Sequence, residues 1–507
     1  MKRILVFAFA TIAFGWMSGC GTGSGGGGQL MGPPNALDGQ YAFVLSGYDS
    51  TGAPAGVAGS ITADGHGHIT DGSVDVNDGT VLSSSSNALS GTYTLDSNLR
   101  GVFSLSNTVG SVTHPLAFAF TLRSDGASGD VIGLDTNGFF IHGTMQRQDA
   151  TAFSLSQLAG DFAFEFEQNS TGRLVGIGRF TLGSNGMSTN GFMDFSRSGT
   201  GPTFTNQPIS FTFAAAGPSA SGRGTITSTD SGGSASFVYY VVSSSTILAL
   251  RTDGLAITGV IGKQHLPFSM TTVNTGGAVF ALAGADALTS NDIAAIGQLQ
   301  VTNSTSAVLH WDANDTGAIF GPATASNQTV TFDPTTGRGT ITVAGGFASG
   351  LFDTAVFYLL DSGKGFILDT TAGPSNRALA GAFQPQNGVG SFSLSTLASK
   401  MVVRAGGVTP NDAAVLDGLL SLGSSNTFAL TLDARAPGAT DVLNQTLSGI
   451  QISSIDANTG RGTLTIPSPT FNATEVVYIV GTNQFALIDV TPVPNNAATP
   501  VIFFDPQ

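Results

Sequence analysis

Cysteine is almost missing from this chain: 507 residues contain one, Cys20. Without a second thiol no intramolecular disulfide can form, so stability must come from packed cores. Charge is scarce as well. Only 10% of residues are charged, and 18 Lys and Arg face 33 Asp and Glu, for a formal net charge of −15. No basic cluster stands out, which argues against nucleic acid or anionic headgroups as partners. Beyond the first twenty residues there is no long apolar stripe of helical period. Also missing is any Gly-x-Ser-x-Gly elbow set between a strand and a helix. "GSGGGG" at 23–28 is followed by neither Lys-Ser/Thr nor a helix, so it reads as a linker and not a phosphate loop. The expectation is a protein that is not an enzyme and carries no cofactor.

What is present is Gly (69 residues), Phe (35) and many Ser and Thr. Beta-branched and aromatic runs broken by Gly, Asn, Asp and Ser read as short strands joined by turns. The length exceeds what one core supports and implies several domains.

The N-terminus "MKRILVFAFATIAFGWMSGC" has two basic residues, Lys2 and Arg3, then an apolar run, then small residues. That order is a secretory signal peptide, too short to be argued as a spanning helix. "MSGC", Met17 to Cys20, resembles a bacterial lipobox, with Met17 where Leu is usual. The resemblance implies that Cys20 is lipidated and becomes the mature N-terminus, with "GTGSGGGG" as a flexible tether behind it. A multiply acylated cysteine anchors stably, since each buried methylene contributes ~0.8 kcal/mol.

The remainder is one pattern written four times. "AFSLSQLAG" (152–160), "PFSMTTVNTG" (267–276) and "SFSLSTLAS" (391–399) open three units, and the first begins at "ALDGQYAF". A glycine follows at Gly59, Gly178, Gly297 and Gly418, then an aspartate at Asp75, Asp194, Asp312 and Asp433. Next comes an arginine: Arg100 in "NLRGVFSL", Arg223 in "SGRGTITS", Arg338 in "TGRGTITV" and Arg461 in "TGRGTLTI". Each unit closes on a glutamine, Gln148, Gln264, Gln386 and Gln507. The period of about 120 residues is an ordinary domain size. The expected organisation is a signal peptide (1–19), a lipidated Cys and tether (20–36), and β units at 37–148, 149–264, 265–386 and 387–507.

Within the first unit eight strand-like runs start near Tyr41, Val57, His68, Leu89, Val102, Leu116, Asp130 and Phe139. Eight antiparallel strands with no helix to cover a face are best closed on themselves. The expected class is all-β: four tandem antiparallel units, each an eight-stranded up-and-down barrel, with a two-sheet sandwich as the alternative. The runs read as mostly shorter than the ~9–11 residues of a membrane-spanning strand.

"DPTTGRG" and "DANTGRG" are hairpin turns, with Asp at the start and Gly337 and Gly460 supplying a positive φ. Period two then places Gly462, Leu464 and Ile466 on one face and Arg461, Thr463 and Thr465 on the other. The arginine therefore faces outward. The recurring Asp does too, since Val74 and Val76 flank Asp75, and Met193 and Phe195 flank Asp194. Arg100, Arg223, Arg338 and Arg461 with Asp75, Asp194, Asp312 and Asp433 are thus candidate recurring surface positions, expected as exposed pairs worth ~0–1 kcal/mol.

Other candidates are thinner. His66 and His68 share a strand face, but two imidazoles need a third ligand to hold a metal. "TDGSVDVNDG" (70–79) carries Asp71, Asp75, Asn77 and Asp78 without the ligand order of a calcium loop. No metal is expected. Trp311 falls at an inward position and reads as core.

The unit is similar in outline to lipocalin and avidin barrels, as an analogy of fold only. "ADGHGHITDG", "GTYTL" and "GRGT" give the chain a resemblance to repeat-bearing surface lipoproteins of soil bacteria. That resemblance implies an exported protein of the cell envelope, at the outer membrane or cell surface. Its expected partners are the membrane, through the anchor, and an envelope glycan or another surface protein. The leading expectation is a structural, adhesive or display role. The alternative is a carrier of a small apolar ligand inside a barrel, which needs an interior of roughly 300 Å³. A hydrolase comes last. The units are expected to fold alone, and four of them would reach about 140 Å if stacked in line.

Overall fold

The computed structural model describes residues 37–507 apart from 80–81, 86–88, 110–111, 135–137, 171, 200–203, 269–276, 287–290, 347, 349, 372–376, 408–409, 411–413, 424–426, 437–440, 468–471 and 491–500. Cys20, with the expected signal peptide and tether, lies outside the described residues. Among those described, the chain is strands and turns with two short 3-10 segments and no α-helix.

Four antiparallel sheets follow one another. In the first, spanning Asp38–Tyr48 to Phe140–Arg147, the last strand pairs back onto the first from Tyr41↔Arg147 to Tyr48↔Phe140. The third strand, His68–Asn77, pairs with Pro54–Asp64 on one side and with Ser90–Leu95 on the other, which closes an eight-stranded barrel. A ninth short strand, Leu82–Ser85, rides on its edge. The second sheet, Gly160–Gln168 to Thr258–Lys263, has nine strands and a gap between Phe204–Pro208 and Ser210–Phe213. The gap is narrowed where Ile209 N–H donates to Gly191 O (3.1 Å) and Phe213 N–H to Gly186 O (2.8 Å). The third and fourth, starting at Ala278–Asp286 and Met401–Gly406, are closed eight-stranded barrels. The meander barrel is therefore the fold, and the sandwich alternative falls. Strand lengths run from 4 to 15 residues.

Alternation decides what fills each barrel. In Arg461–Pro467, Gly462, Leu464 and Ile466 are buried, while Thr465 is exposed. At three of the four landmark glycines a phenyl ring lies where a side chain would go. A Cβ at Gly59, Gly178 or Gly297 would sit 2.5–2.6 Å from the ring of Phe43, Phe164 or Phe280. The Phe-Ser-Leu openings plug the barrel mouths: Leu158 joins the second core, and Phe392 and Leu397 the fourth. Trp311 is 3% exposed in the third core.

The barrels do not stand in line. Outer faces of consecutive barrels pack on one another through apolar clusters. Ala42, Val44 and Ala58 meet Val238, Tyr240 and Leu248; Val175 and Ile177 meet Val356 and Leu368; Ala294 and Ile296 meet Val476 and Ile488. The fourth barrel packs back on the first, with Val415 against Ala119 and Ile132. The chain is a closed ring of four. Alternation tells inside from outside within a barrel but says nothing of what covers the outside.

Candidate functional site

The recurring arginines and aspartates meet, but across seams between barrels and not within a unit. Arg223 makes a two-pronged bond to Asp75 of the preceding barrel, Nε–Oδ2 and Nη2–Oδ1 both 2.8 Å. Arg338 does the same to Asp194 (3.0 and 2.7 Å), and Arg461 to Asp312 (2.7 and 2.8 Å). A tyrosine across the strand pair donates a third bond to the same carboxylate: Tyr240 to Asp75 (2.6 Å), Tyr358 to Asp194 (2.6 Å) and Tyr478 to Asp312 (3.0 Å). Burial, and then the neighbouring carboxylate charge, push these phenols far up, so they stay protonated and donate. The outward orientation holds, but the surface position does not. Asp75 and Asp194 are 0% exposed and Asp312 is 2% exposed, because each lies on an outer face that the neighbouring barrel covers.

The closing glutamines serve the same seams. Gln148 Nε2 donates to Ser221 O (3.2 Å) and Val241 O (2.5 Å), Gln264 to Thr336 O (3.1 Å) and Leu359 O (2.7 Å), Gln386 to Thr459 O (2.8 Å) and Ile479 O (2.6 Å). Each clasps the Gly-Arg turn of the next barrel. Gly222, Gly337 and Gly460 have φ of 73°, 70° and 70°, and a Cβ there would come within 2.6–2.9 Å of that glutamine amide. The fourth form of the turn instead carries Leu99 at φ 61°.

The seam between the fourth and first barrels keeps the plan with different residues. Arg100 Nη2 reaches Asp433 Oδ2 at 2.5 Å, and its Nη1 reaches Asn444 Oδ1 at 2.8 Å. Thr121 stands where the other seams have tyrosine, and donates to Asp417 Oδ2 at 2.6 Å. Arg123–Asp505 (2.6 Å) and Arg404–Asp130 (3.3 Å) add ion pairs. Burial pushes the carboxyls of Asp417 and Asp130 up. Among the described residues this seam has three ion pairs where each other seam has one.

Where the four barrels face one another lies a cavity of about 300 Å³, with walls from every barrel, and an adjoining one of about 210 Å³. The first and last strands of each barrel form the walls. Next in sequence to the residue paired with each landmark glycine come four outward positions: Val44, Glu165, Ala281 and Arg404. Glu167 accepts from Arg173 Nη2 at 2.7 Å, and Arg173 Nη1 reaches across to the carbonyls of Ala283 and Ala378. Arg404 Nη1 lies 3.1 Å from His142 Nδ1. Since arginine only donates, this nitrogen of His142 is the acceptor and the ring is neutral. Burial, reinforced by Arg404, pushes the imidazole down to about 3. Burial and then the Glu167 charge push the Glu165 carboxyl up to about 8, against the pull of Arg173.

The remaining sequence candidates are local turn chemistry. His68 Nδ1 bonds Asp64 Oδ2 (2.9 Å) and His66 Nδ1 bonds Asp64 O (2.6 Å). In the acidic run, Asp75 faces Arg223 while Asn77 Nδ2 donates to Arg251 O (2.7 Å), so their side chains serve the seam. The sequence reading missed the axial group. Its signal was visible in "FAFEFEQ" (162–168), where Glu165 and Glu167 alternate with three phenylalanines in a chain poor in charge.

No protein family and no curated protein matches this sequence. Among solved structures, one titled "Crystal structure of CghA" is 10% identical, covering 92% of this chain and 88% of that chain with a TM-score of 0.14. A similarity that low carries no argument.

Proposed function

We propose that this protein is a lipid-anchored component of the bacterial cell envelope with a structural, adhesive or display role. The observation that carries the reading is the use made of the repeat. Its recurring arginines, aspartates and glutamines hold barrel to barrel, and the barrel interiors are filled by side chains. The fourth barrel encloses about 60 Å³, against the roughly 300 Å³ that a small ligand requires. A carrier that holds an apolar ligand inside a barrel is therefore the less supported alternative. Adhesion is favoured by the neutral hydroxyl rows that face solvent. Thr225, Thr227 and Thr229 are exposed along one strand, and Thr331 and Thr340 face each other across two paired strands with hydroxyls 2.5 Å apart. Such hydroxyls, in a row along one strand and paired between two, suit those of an envelope glycan. The anchor rests on "MSGC" and the sole cysteine.

Protease treatment of intact cells, followed by carbonate washing of their membranes, tests the reading. The wild-type chain should be cleaved on whole cells and stay with washed membranes. Cys20→Ala should move it to the soluble fraction. A Cys20→Ala chain as membrane-bound as wild type would overturn the anchor. A wild-type chain that survives protease on intact cells would overturn surface display.

A further inference from the structure

The axial cavity has an unbalanced set of charges. Each carboxyl of the wall is held by an arginine except one. Glu167 is held by Arg173 (2.7 Å) and Asp505 by Arg123 (2.6 Å), while His142 is neutral and accepts from Arg404. Glu165 remains. It projects from the same strand face as Glu167 and accepts no hydrogen bond from any described residue. Near it the wall is short and apolar: Val44 and Val260 on one side, Ala281 and Ala382 on the other. Solvent reaches the chamber, since the side chains of Glu167, Arg404 and Asp505 are 28%, 27% and 20% exposed.

A carboxylate in such surroundings is stabilised by one positive charge, and a carboxylate with no cation is costly there. Among the described residues no group of three or more His, Asp or Glu is placed to hold a metal ion. With Glu167 already taken by Arg173, Glu165 offers too few oxygens for a bare cation. An ammonium brings its own stem to cover the alanine and valine wall. We propose that the axial cavity binds a small organic monocation, a primary ammonium on a short apolar stem, with the Glu165 carboxylate as its counter-ion. Empty, this carboxyl holds its proton near neutrality; occupied, it gives the proton up, so binding releases a proton. The site exists only when all four barrels close the ring. It does not rest on the display reading, and either can fail alone.

Calorimetric titration of the full chain in detergent with n-butylammonium, beside n-butanol as the neutral shape control, tests this. The ammonium should bind and the alcohol should not. Glu165→Gln should weaken binding by at least ~10-fold, which equals about 1.4 kcal/mol. Repeating the titration in two buffers of different ionisation heat should show proton release near neutrality that vanishes above about pH 9, where Glu165 is already ionised. Ala382→Leu, which fills the cavity and leaves every charge in place, should abolish binding. Equal affinity for butanol, undiminished affinity in the E165Q variant, or no heat at tens of millimolar ammonium would each overturn the proposal.

Discussion

The side-chain amide of Gln507 donates to the backbone carbonyl of Asn98, 409 positions earlier in the chain, at 2.5 Å. Asn98 stands two residues before Arg100, as Ser221, Thr336 and Thr459 stand before their arginines. The bond that joins one barrel to the next therefore also joins the last barrel to the first.

That closing seam has the smallest apolar cluster, so it should open first. In a Gln507→Ala, Arg100→Ala double variant, amide exchange should accelerate in Arg100–Val109 and Thr427–Arg435 well before the other seams. Hydrogen-exchange mass spectrometry on the full chain reads this. Uniform acceleration in all four barrels would show that the ring melts as one unit.

Gly460→Ala should destabilise the protein by about 1–2 kcal/mol, because it strains a left-handed residue and crowds the Gln386 amide. Urea titration gives the value. An unchanged midpoint would mean that the turn relaxes without cost.

Arg461→Ala should cost more, about 3 kcal/mol, in contrast to the exposed pair that alternation alone implies. Its removal leaves the Asp312 carboxylate, 2% exposed, with only the Tyr478 hydroxyl and its remaining neighbours. The same titration should rank it below Gly460→Ala in stability, and the reverse order would return the pair to solvent.

Stability should fall as pH rises from about 5 to 8. Below the ordinary carboxylate range Glu165 is protonated both folded and unfolded. Above it the unfolded carboxyl ionises while the folded one, raised to about 8, keeps its proton, so unfolding becomes easier. Asp417 and Asp130, also raised by burial, act in the same direction. The E165Q variant should lose a large part of this slope, on the order of a few kcal/mol across the window. His142, held near 3, acts oppositely on the acid side: its stabilisation is lost as pH falls below about 6.5. Denaturation midpoints at three pH values, compared between wild type and E165Q, check the sign.

A fragment of residues 149–264 should show strand-type circular dichroism yet self-associate. Alone, it exposes Val238, Tyr240 and Leu248 on one flank and Val175 and Ile177 on the other. Sedimentation of a clean monomer would favour an autonomous unit.

Alternation and turn chemistry made much of this legible in advance. Leu464 and Ile466 inside with Arg461 outside, the positive φ of Gly337 and Gly460, and the inward Trp311 all follow from period two and from turn geometry. The role of Gly59, Gly178 and Gly297 did not, because it depends on a phenyl ring of the neighbouring strand. Nor did the burial of Asp75. A residue facing out of its own barrel is wet or dry according to a second barrel more than a hundred residues away. Glu165 escaped notice for a related reason: what isolates it comes from Val44 and Ala281 as much as from its own strand.

Four identical subunits around an axis would have to place four identical side chains at every height. A glutamate there would confront three copies of itself, and an arginine likewise. Because Val44, Glu165, Ala281 and Arg404 occupy matching places in one continuous chain, each varies without the others. A ring built from repeats can thus hold acid on one side, base on another and hydrocarbon between them, a polarity that symmetry forbids to a homotetramer.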